Sequence, residues 1–166
     1  TKAIGNDKRI SPYFFSSGTP YGGTCFPRDT WAFIKFAKDR GHEAKNLMFS
    51  EEVNHMVHAS IIKNTKEFDS IGILGVSFKP KSPVTIGSPS ISLIHDWLKL
   101  GKKVYAYDDL KETYDGVHVG DGLVQSETPE MVVSKSDVIV IMHPDKSYAN
   151  LDFGDAVIVD PWGVLN

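Results

Sequence analysis

The spacing of apolar residues along the chain changes near residue 65. Within residues 47–64 the apolar side chains follow one face of an amphipathic helix: Val53, Met56, Val57 and Ile61. Residues 29–40 are predicted to form another helix, so the first part of the chain is mostly helical after an irregular start. Polar residues 63–70 form a short connector to the second part of the chain.

Beyond this connector, short apolar runs alternate with helical segments. Residues 71–76 form an apolar run that is typical of a strand buried on both faces. Further strands are predicted at 103–107, 137–142 and 156–160, and helices at 88–100 and 129–134. The first of these helices has Ser88 as its N-cap, Pro89 at its first position and Gly101 after its end. This alternation predicts right-handed crossovers and an α/β fold with a doubly wound, mainly parallel sheet.

Composition is that of an ordinary globular protein and excludes several classes. The 166 residues, 41% apolar and 23% charged, suit one domain or two small ones. The net charge is −3, without a basic run, an acidic tail, a signal peptide or a long apolar stretch, so we expect neither nucleic acid nor a membrane as partner. One cysteine cannot form an intramolecular disulfide, which agrees with a cytoplasmic location. The chain begins at Thr1 without a methionine, and we expect it to be part of a longer protein.

That cysteine, Cys25, lies in the run YGGTCFPRDT at residues 21–30. It precedes a predicted helix, so it faces unpaired N–H groups and the positive end of the helix dipole, which both favour a thiolate. A lone cysteine is more often a small buried apolar side chain. Its position therefore leaves a catalytic and a structural interpretation open.

Polar residues also follow the predicted strands, where a parallel sheet binds its ligands. Residues 75–80, GVSFKP, lack the G-x-G-x-x-G turn of dinucleotide-binding folds. Lys79 could meet a phosphate or sugar oxygen as a point charge, or it could be a solvated lysine. Asp108 and Asp109 follow the second strand, where a turn or capping role is favoured over a ribose contact. His143 follows the third strand and is a lone histidine.

His55 and His58 share a predicted helix at a spacing of three residues. Such a pair can chelate a metal, but the sequence shows no third ligand. We therefore predict no metal site.

Three segments together resemble the UDP-glucose/GDP-mannose dehydrogenase family. Residues 22–29, GGTCFPRD, look like the family's G-G-S-C-F-P-K-D. Residues 75–80, followed by Ser88-Pro89, resemble its G-x-x-F-K-P…S-P segment, and Arg9-Ile10 precedes the cysteine at the family's distance. The strand at 104–107 with Asp108 and the ending at 157–160 follow the family pattern too. The resemblance covers nearly the whole chain.

This resemblance implies a fold and a reaction. It implies a Rossmann-like UDP-binding domain at residues 66–166, preceded by part of an α-helical central domain at 1–65. The family oxidises the C6 alcohol of a nucleotide sugar, with UDP-glucose the first expectation here, to a carboxylate by two hydride transfers to NAD. Cys25 would capture the intermediate aldehyde as a thiohemiacetal that is oxidised to a thioester, and Asp29 would assist the water that hydrolyses it.

The resemblance also implies binding residues and partners. Arg28 would lie near NAD. An N-terminal domain that is absent from this sequence would make most of the contacts to NAD. The implied substrate-binding residues are Arg9, Phe14, Gly18, Tyr21, Gly22, Gly23, Phe78 and Lys79. Arg9 would reach the substrate of a neighbouring subunit, which implies a homodimer or a larger assembly.

Several features depart from the family. The N-terminal NAD-binding domain is absent, as is most of the long central helix that carries the family's catalytic lysine and asparagine. Ile86 and Trp162 stand where arginines near NAD and near the substrate are expected, and Pro20 replaces a glycine. We expect the fragment alone to bind nucleotide sugar weakly and to be inactive. The departures keep a second interpretation open, a non-catalytic nucleotide-sugar-binding or assembly module.

Overall fold

Helices come first along the chain, and strands then alternate with helices. The computed structural model describes residues 2–11, 15, 17–110, 113 and 121–165. The helices are α1 (Lys2–Gly5), α2 (Phe26–Asp39), α3 (Lys45–Thr65), α4 (Pro89–Lys99) and α5 (Pro129–Val133), with a 3₁₀ helix at Lys146–Asn150. The strands are β1 (Ser70–Leu74), β2 (Lys103–Tyr107), β3 (Leu123–Gln125), β4 (Val138–Ile141) and β5 (Val157–Val159).

The described strands form one parallel sheet in the order β3-β2-β1-β4-β5. Strand β1 lies at its centre, and Ile71 pairs with Val104 of β2 and with Val138 of β4. The chain moves outward from β1 through β2 to β3 and then crosses back to β4 and β5. This confirms the predicted doubly wound α/β sheet, and it places the reversal of strand order between β1 and β4, where such sheets bind ligands.

Apolar residues cover the sheet on both faces. One face packs against α3 and α4 through Ile61, Ile71, Ile73, Leu93, Ile94, Trp97, Val104 and Val140. The other packs against α5 and the 3₁₀ helix through Leu74, Tyr105, Val132, Val133, Ile139, Ile141 and Tyr148. Because successive side chains of a strand point to opposite faces, each apolar run contributes to both clusters.

The boundaries of several elements differ from the predictions. Helix α2 begins at Phe26 instead of residue 29, because Pro27 lies in the first turn, where a helix needs no N–H. Strand β1 ends at Leu74 because the chain turns at Gly75, whose φ is +99°. Strand β3 is not predicted from the sequence, because its three residues include only two apolar ones and form no longer apolar run. The predicted N-cap Ser88 is confirmed, because its side chain accepts a hydrogen bond from the Ser90 N–H.

The helical part of the chain leaves much apolar surface exposed. No residue of α2 is buried, and Trp31, Phe33 and Phe36 are each at least half exposed. Helix α3 joins the sheet domain through His58, whose Nε2 lies 2.9 Å from Asp96 Oδ2 on α4. Within the described residues no three His, Cys, Asp or Glu side chains gather as metal ligands, and no helix is long and apolar enough to cross a bilayer.

Asp108 organises the loop that follows β1. Its Oδ2 accepts hydrogen bonds from the N–H of Val76 at 2.8 Å and from the N–H and Oγ of Ser77 at 2.9 and 3.0 Å. Its Oδ1 accepts from Thr113 Oγ1 at 3.0 Å and from the Leu110 N–H at 3.3 Å. The side chain is buried, so it confirms the turn role that the sequence favours for this aspartate.

Replacing Asp108 by alanine should therefore destabilise the whole domain. The buried donors of Val76 and Ser77 would lose their acceptor, and we expect the free energy of unfolding to fall by about 3 kcal/mol. The matched change at the exposed neighbour Asp109 should alter it by less than about 0.5 kcal/mol. Urea denaturation of both variants measures the difference. Equal losses at the two positions would contradict the assigned role of Asp108.

The contact between α3 and α4 should give stability a measurable pH dependence. The hydrogen bond from His58 lowers the pKa of Asp96, with a smaller effect from Lys99. A carboxyl group whose pKa is lower in the folded state stabilises the fold above its unfolded pKa of about 3.9, and this contribution disappears as pH falls through the folded pKa. Since the side chain is 43% exposed, the effect should stay below about 1 kcal/mol.

We expect Asp96→Asn to lower the urea midpoint at pH 6 and to lose this difference as the pH falls from 4 toward 2. The same change at exposed Asp155 serves as control and should give no such pH-dependent difference. A stability loss of Asp96→Asn that stays constant over this pH range would show that the ionised carboxylate of Asp96 does not cause it.

Candidate functional site

The Cys25 segment lies against the carboxyl edge of the sheet. The N–H of Gly23 donates to the carbonyl oxygen of Gly87, in the loop between β1 and α4, at 2.9 Å. A Cβ on Gly22 would lie 2.1 Å from that same oxygen, and one on Gly23 would lie 2.8 Å from the Phe78 ring. The two glycines therefore allow backbone-to-backbone contact that a side chain would prevent.

A second contact anchors the preceding residues to the β4 and β5 side of the same edge. The indole of Trp162 donates to the carbonyl oxygen of Met142, just after β4, at 2.9 Å. Gly18 lies against its ring, since a Cβ there would come within 2.5 Å of it. Residues 18–23 thus lie close to the loops after β1, β4 and β5, at the point where the strand order reverses.

Cys25 occupies the N-cap position of α2, as the prediction of a helix start beside it requires. Its thiol makes no capping hydrogen bond and is exposed. Thr24 Oγ1 lies 3.5 Å from the sulfur, and the Asp29 N–H donates to the Cys25 carbonyl at 2.9 Å. The thiol and the carboxylate of Asp29 are therefore one helical turn apart, with the thiol open to solvent.

Arg28 and Asp29 form an exposed ion pair beside the thiol. Arg28 Nε lies 2.8 Å from Asp29 Oδ1, and both side chains are more than 60% exposed. The hydrogen bond from Arg28 lowers the pKa of Asp29, while Asp29 and, to a smaller extent, Cys25 raise the pKa of Arg28. Asp29 is thus an ionised carboxylate at neutral pH, and one of its oxygens is held by the guanidinium.

Tyr21 is held by helix α3. Its N–H donates to Asn54 Oδ1 at 2.8 Å, Asn54 Nδ2 donates to the Tyr21 carbonyl at 3.0 Å, and its hydroxyl donates to Glu51 Oε1. Burial, followed by the hydrogen bond and charge of Glu51, raises the pKa of Tyr21 to about 12. The sequence alone does not point to Glu51 and Asn54, because no motif links them to a tyrosine some thirty residues away.

Phe78 and Lys79 lie in the loop after β1. Phe78 is half-buried against Gly23, and Lys79 Nζ lies 5.2 Å from the centre of its ring. Ile86, in the same connection, is 70% exposed. The structure thus brings Phe78 and Lys79 to the sheet edge on which the Cys25 segment rests.

Two other candidate residues from the sequence, Arg9 and His143, do not lie on the surface of this sheet edge. Arg9 is exposed and pairs with Asp7, with Nη2 2.7 Å from Oδ2. Phe14 lies outside the described residues. His143 is buried, and its Nε2 lies 2.9 Å from the Ser77 carbonyl, so it packs within the β1 loop.

Sequence profiles of one family match both parts of the chain. The profile of the UDP-glucose/GDP-mannose dehydrogenase family, central domain, matches residues 1–56. The profile of that family's UDP binding domain matches residues 72–166, which is more than half of the chain. The predicted domain boundary after residue 65 lies between the two matched ranges and remains a prediction.

Individual relatives share the same resemblance. The chain is 30% identical over 145 residues to UDP-glucose 6-dehydrogenase YwqF of Bacillus subtilis. The aligned region covers 84% of this chain and 33% of that protein. It is 26% identical over 164 residues to the UDP-glucose 6-dehydrogenase of Pseudomonas aeruginosa, with coverages of 92% and 36%. The chain thus spans about a third of the length of these curated relatives.

A solved structure gives the same result for the fold. The UDP-glucose dehydrogenase of the hyperthermophilic archaeon Pyrobaculum islandicum superposes with a TM-score of 0.88 at 28% identity, over 98% of this chain and 39% of that one. The similarity includes both the helical segment and the sheet domain. The fold and the two matched profiles together show that the chain belongs to the UDP-glucose/GDP-mannose dehydrogenase family.

Proposed function

We propose that the chain is the C-terminal part of an NAD-dependent nucleotide-sugar 6-dehydrogenase, with UDP-glucose as its substrate. In this function it supplies the nucleophile and the domain that binds the nucleotide. One observation carries the proposal. The exposed thiol of Cys25 stands at the N-terminus of a 14-residue helix, on a loop docked against the ligand-binding edge of a parallel sheet.

Cys25 serves as a covalent carrier in this reaction. Its thiolate adds to the carbon of the C6 aldehyde, a C–S bond forms, and the carbonyl oxygen takes a proton to give a thiohemiacetal. Oxidation of the alcohol to the acid releases two hydrides, and two NAD molecules bound in turn would each accept one, the second from the thiohemiacetal carbon, which leaves a thioester. Water then attacks the resulting thioester, the C–S bond breaks, and the thiolate leaves as the carboxylate product forms.

Asp29 orients the hydrolytic water in this proposal. Because the hydrogen bond from Arg28 lowers its pKa, Asp29 is a poor proton acceptor at neutral pH. Its carboxylate can still accept a hydrogen bond from water one helical turn from the sulfur. Asp29 therefore acts by positioning water more than by removing its proton.

The fit of NAD to this chain is partial. The exposed guanidinium of Arg28 is the group that we assign to the cofactor. Strand β1 leads into a loop folded around Asp108, and this loop is not the glycine-rich turn that cradles a pyrophosphate. We therefore assign most of the NAD contacts to a domain outside this sequence.

The nucleotide sugar is assigned to the carboxyl edge. Lys79 offers an ammonium to the phosphates and Phe78 an aromatic face, while Gly22, Gly23, Gly18 and Tyr21 line the approach from the Cys25 segment. Phe14 keeps its proposed substrate contact. Arg9, whose side chain is 88% exposed, is assigned to the substrate of a neighbouring copy, so the complete protein is a homodimer or larger.

A second candidate function is a non-catalytic nucleotide-sugar-binding or assembly module. Two positions favour it. Ile86 places an exposed apolar side chain, and Trp162 a packed indole, where the family resemblance leads us to expect arginines. This module would keep the nucleotide-binding edge and would not use the thiol.

Calorimetry of the chain with UDP, UDP-glucose and GDP-mannose tests the binding edge. We expect weak binding of UDP and UDP-glucose, weakened about tenfold by Lys79→Ala because one contact to a phosphate is lost. The same change at the exposed Lys63 of α3 is the control and should leave binding unaltered. Absence of binding for all three compounds, also after the missing N-terminal part is supplied, would overturn both candidate functions.

The pH profile of Cys25 alkylation separates the two candidates. A nucleophile at the helix N-terminus should react with iodoacetamide half-maximally at a pH clearly below the value of about 8.5 that an ordinary thiol shows. An ordinary profile would reject the enzyme and favour the module. Cys25→Ser provides the blank, since it removes the chain's one thiol.

A further inference from the structure

Tyr21 joins the loop that precedes Cys25 to helix α3. Its main chain exchanges two hydrogen bonds with the Asn54 side chain, and its hydroxyl donates to Glu51. Glu51 is only 5% exposed whereas Tyr21 is 38% exposed, so their contact is partly buried. Helix α3 therefore holds the loop that precedes Cys25.

The two bonds from Asn54 require the geometry of its amide. Oδ1 accepts from the Tyr21 N–H at 2.8 Å, and Nδ2 donates to the Tyr21 carbonyl at 3.0 Å, as a neighbouring strand would. Asparagine offers one acceptor and one donor group at this spacing, whereas an ionised aspartate offers acceptors only. An aspartate at position 54 could keep the first bond and would lose the second.

The residues after Tyr21 need such an anchor. Gly22 and Gly23 have the widest conformational freedom of any residue type, and they separate Tyr21 from Thr24 and Cys25. On their other side, the N–H of Gly23 is fixed to the Gly87 carbonyl. The loop is thus held from α3 at one end and from the sheet edge in its middle.

We propose that Asn54 is a positioning residue for Cys25, acting through the main chain of Tyr21, and that Glu51 fixes the tyrosine side chain in support. This inference rests on the proposed role of Cys25 as nucleophile. The hydrogen bonds described for Asn54 go to the Tyr21 main chain and not to the sulfur. Its contribution is to place the thiol at the N-terminus of α2 in one orientation relative to the sheet edge.

Amide hydrogen exchange on the chain tests the anchoring step. Asn54→Ala should speed exchange of the Tyr21 and Gly23 amides about tenfold, while the slowest amides of β1 and β4 change little. Asn54→Asp should keep the Tyr21 N–H protected, because its acceptor remains. Asn64→Ala, the same change at an exposed position of α3, is the control and should leave all of these rates unaltered.

Exchange that rises equally throughout the chain would show a general loss of stability and would overturn the positioning role. Unchanged exchange at Tyr21 and Gly23 would overturn it as well.

The pH profile of Cys25 alkylation in the same variants tests the consequence for the thiol. We expect Asn54→Ala to move the pH of half-maximal reaction toward that of an ordinary thiol, with Asn54→Asp between it and the wild type. If the wild-type thiol reacts half-maximally at a low pH and Asn54→Ala leaves that pH unchanged, the positioning role is overturned. If the wild-type thiol reacts half-maximally at the pH of an ordinary thiol, both the proposed role of Cys25 as nucleophile and this inference are overturned. This holds even if amide hydrogen exchange shows that Asn54 anchors the loop.

Discussion

The close contact between two backbone segments, residues 22–23 and Gly87, is the constraint on which the site depends. The Gly23 N–H reaches the Gly87 carbonyl at 2.9 Å, and no side chain fits between the segments. Gly87 has a φ of +68°, a backbone conformation that favours glycine, and it packs against the Gly23 main chain in turn. Through this contact, the exposed thiol of Cys25 is placed relative to the sheet.

The position of Gly87 depends in turn on the loop after β1. Asp108 fixes Val76 and Ser77, and the Ser88 hydroxyl donates to the Val76 carbonyl at 2.6 Å. The same hydroxyl caps α4, so the start of that helix and the end of β1 share one hydrogen-bonded unit. A buried carboxylate at the end of β2 thus helps to determine where a thiol more than eighty residues earlier can lie.

The strands at the sheet centre could be predicted because burial on both faces leaves an apolar run in the sequence. Residues 103–107 were predicted with the observed boundaries for this reason. Strand β3 lies at one sheet edge and has only two apolar residues, too few for such a pattern, whereas three consecutive apolar residues mark β5 at the other edge. The Cys25 motif could be recognised locally, whereas the hydrogen bonds of Asn54 to Tyr21 join residues 33 positions apart. Only the folded chain brings these two together.

The two departures from the family pattern have different physical settings. Ile86 is 70% exposed, and its side chain adds little to the packing around the Gly23–Gly87 contact. Trp162 is part of the scaffold, because its indole donates to Met142 and its ring supports Gly18. It anchors the Cys25 segment on the β4 side of the edge, as Gly87 does on the β1 side. An arginine at position 162 would have no aromatic ring to lay against Gly18, so the indole and the glycine act as one unit. At position 162 the chain therefore has an indole that holds the loop before the thiol, in place of the positive charge that the family resemblance leads us to expect.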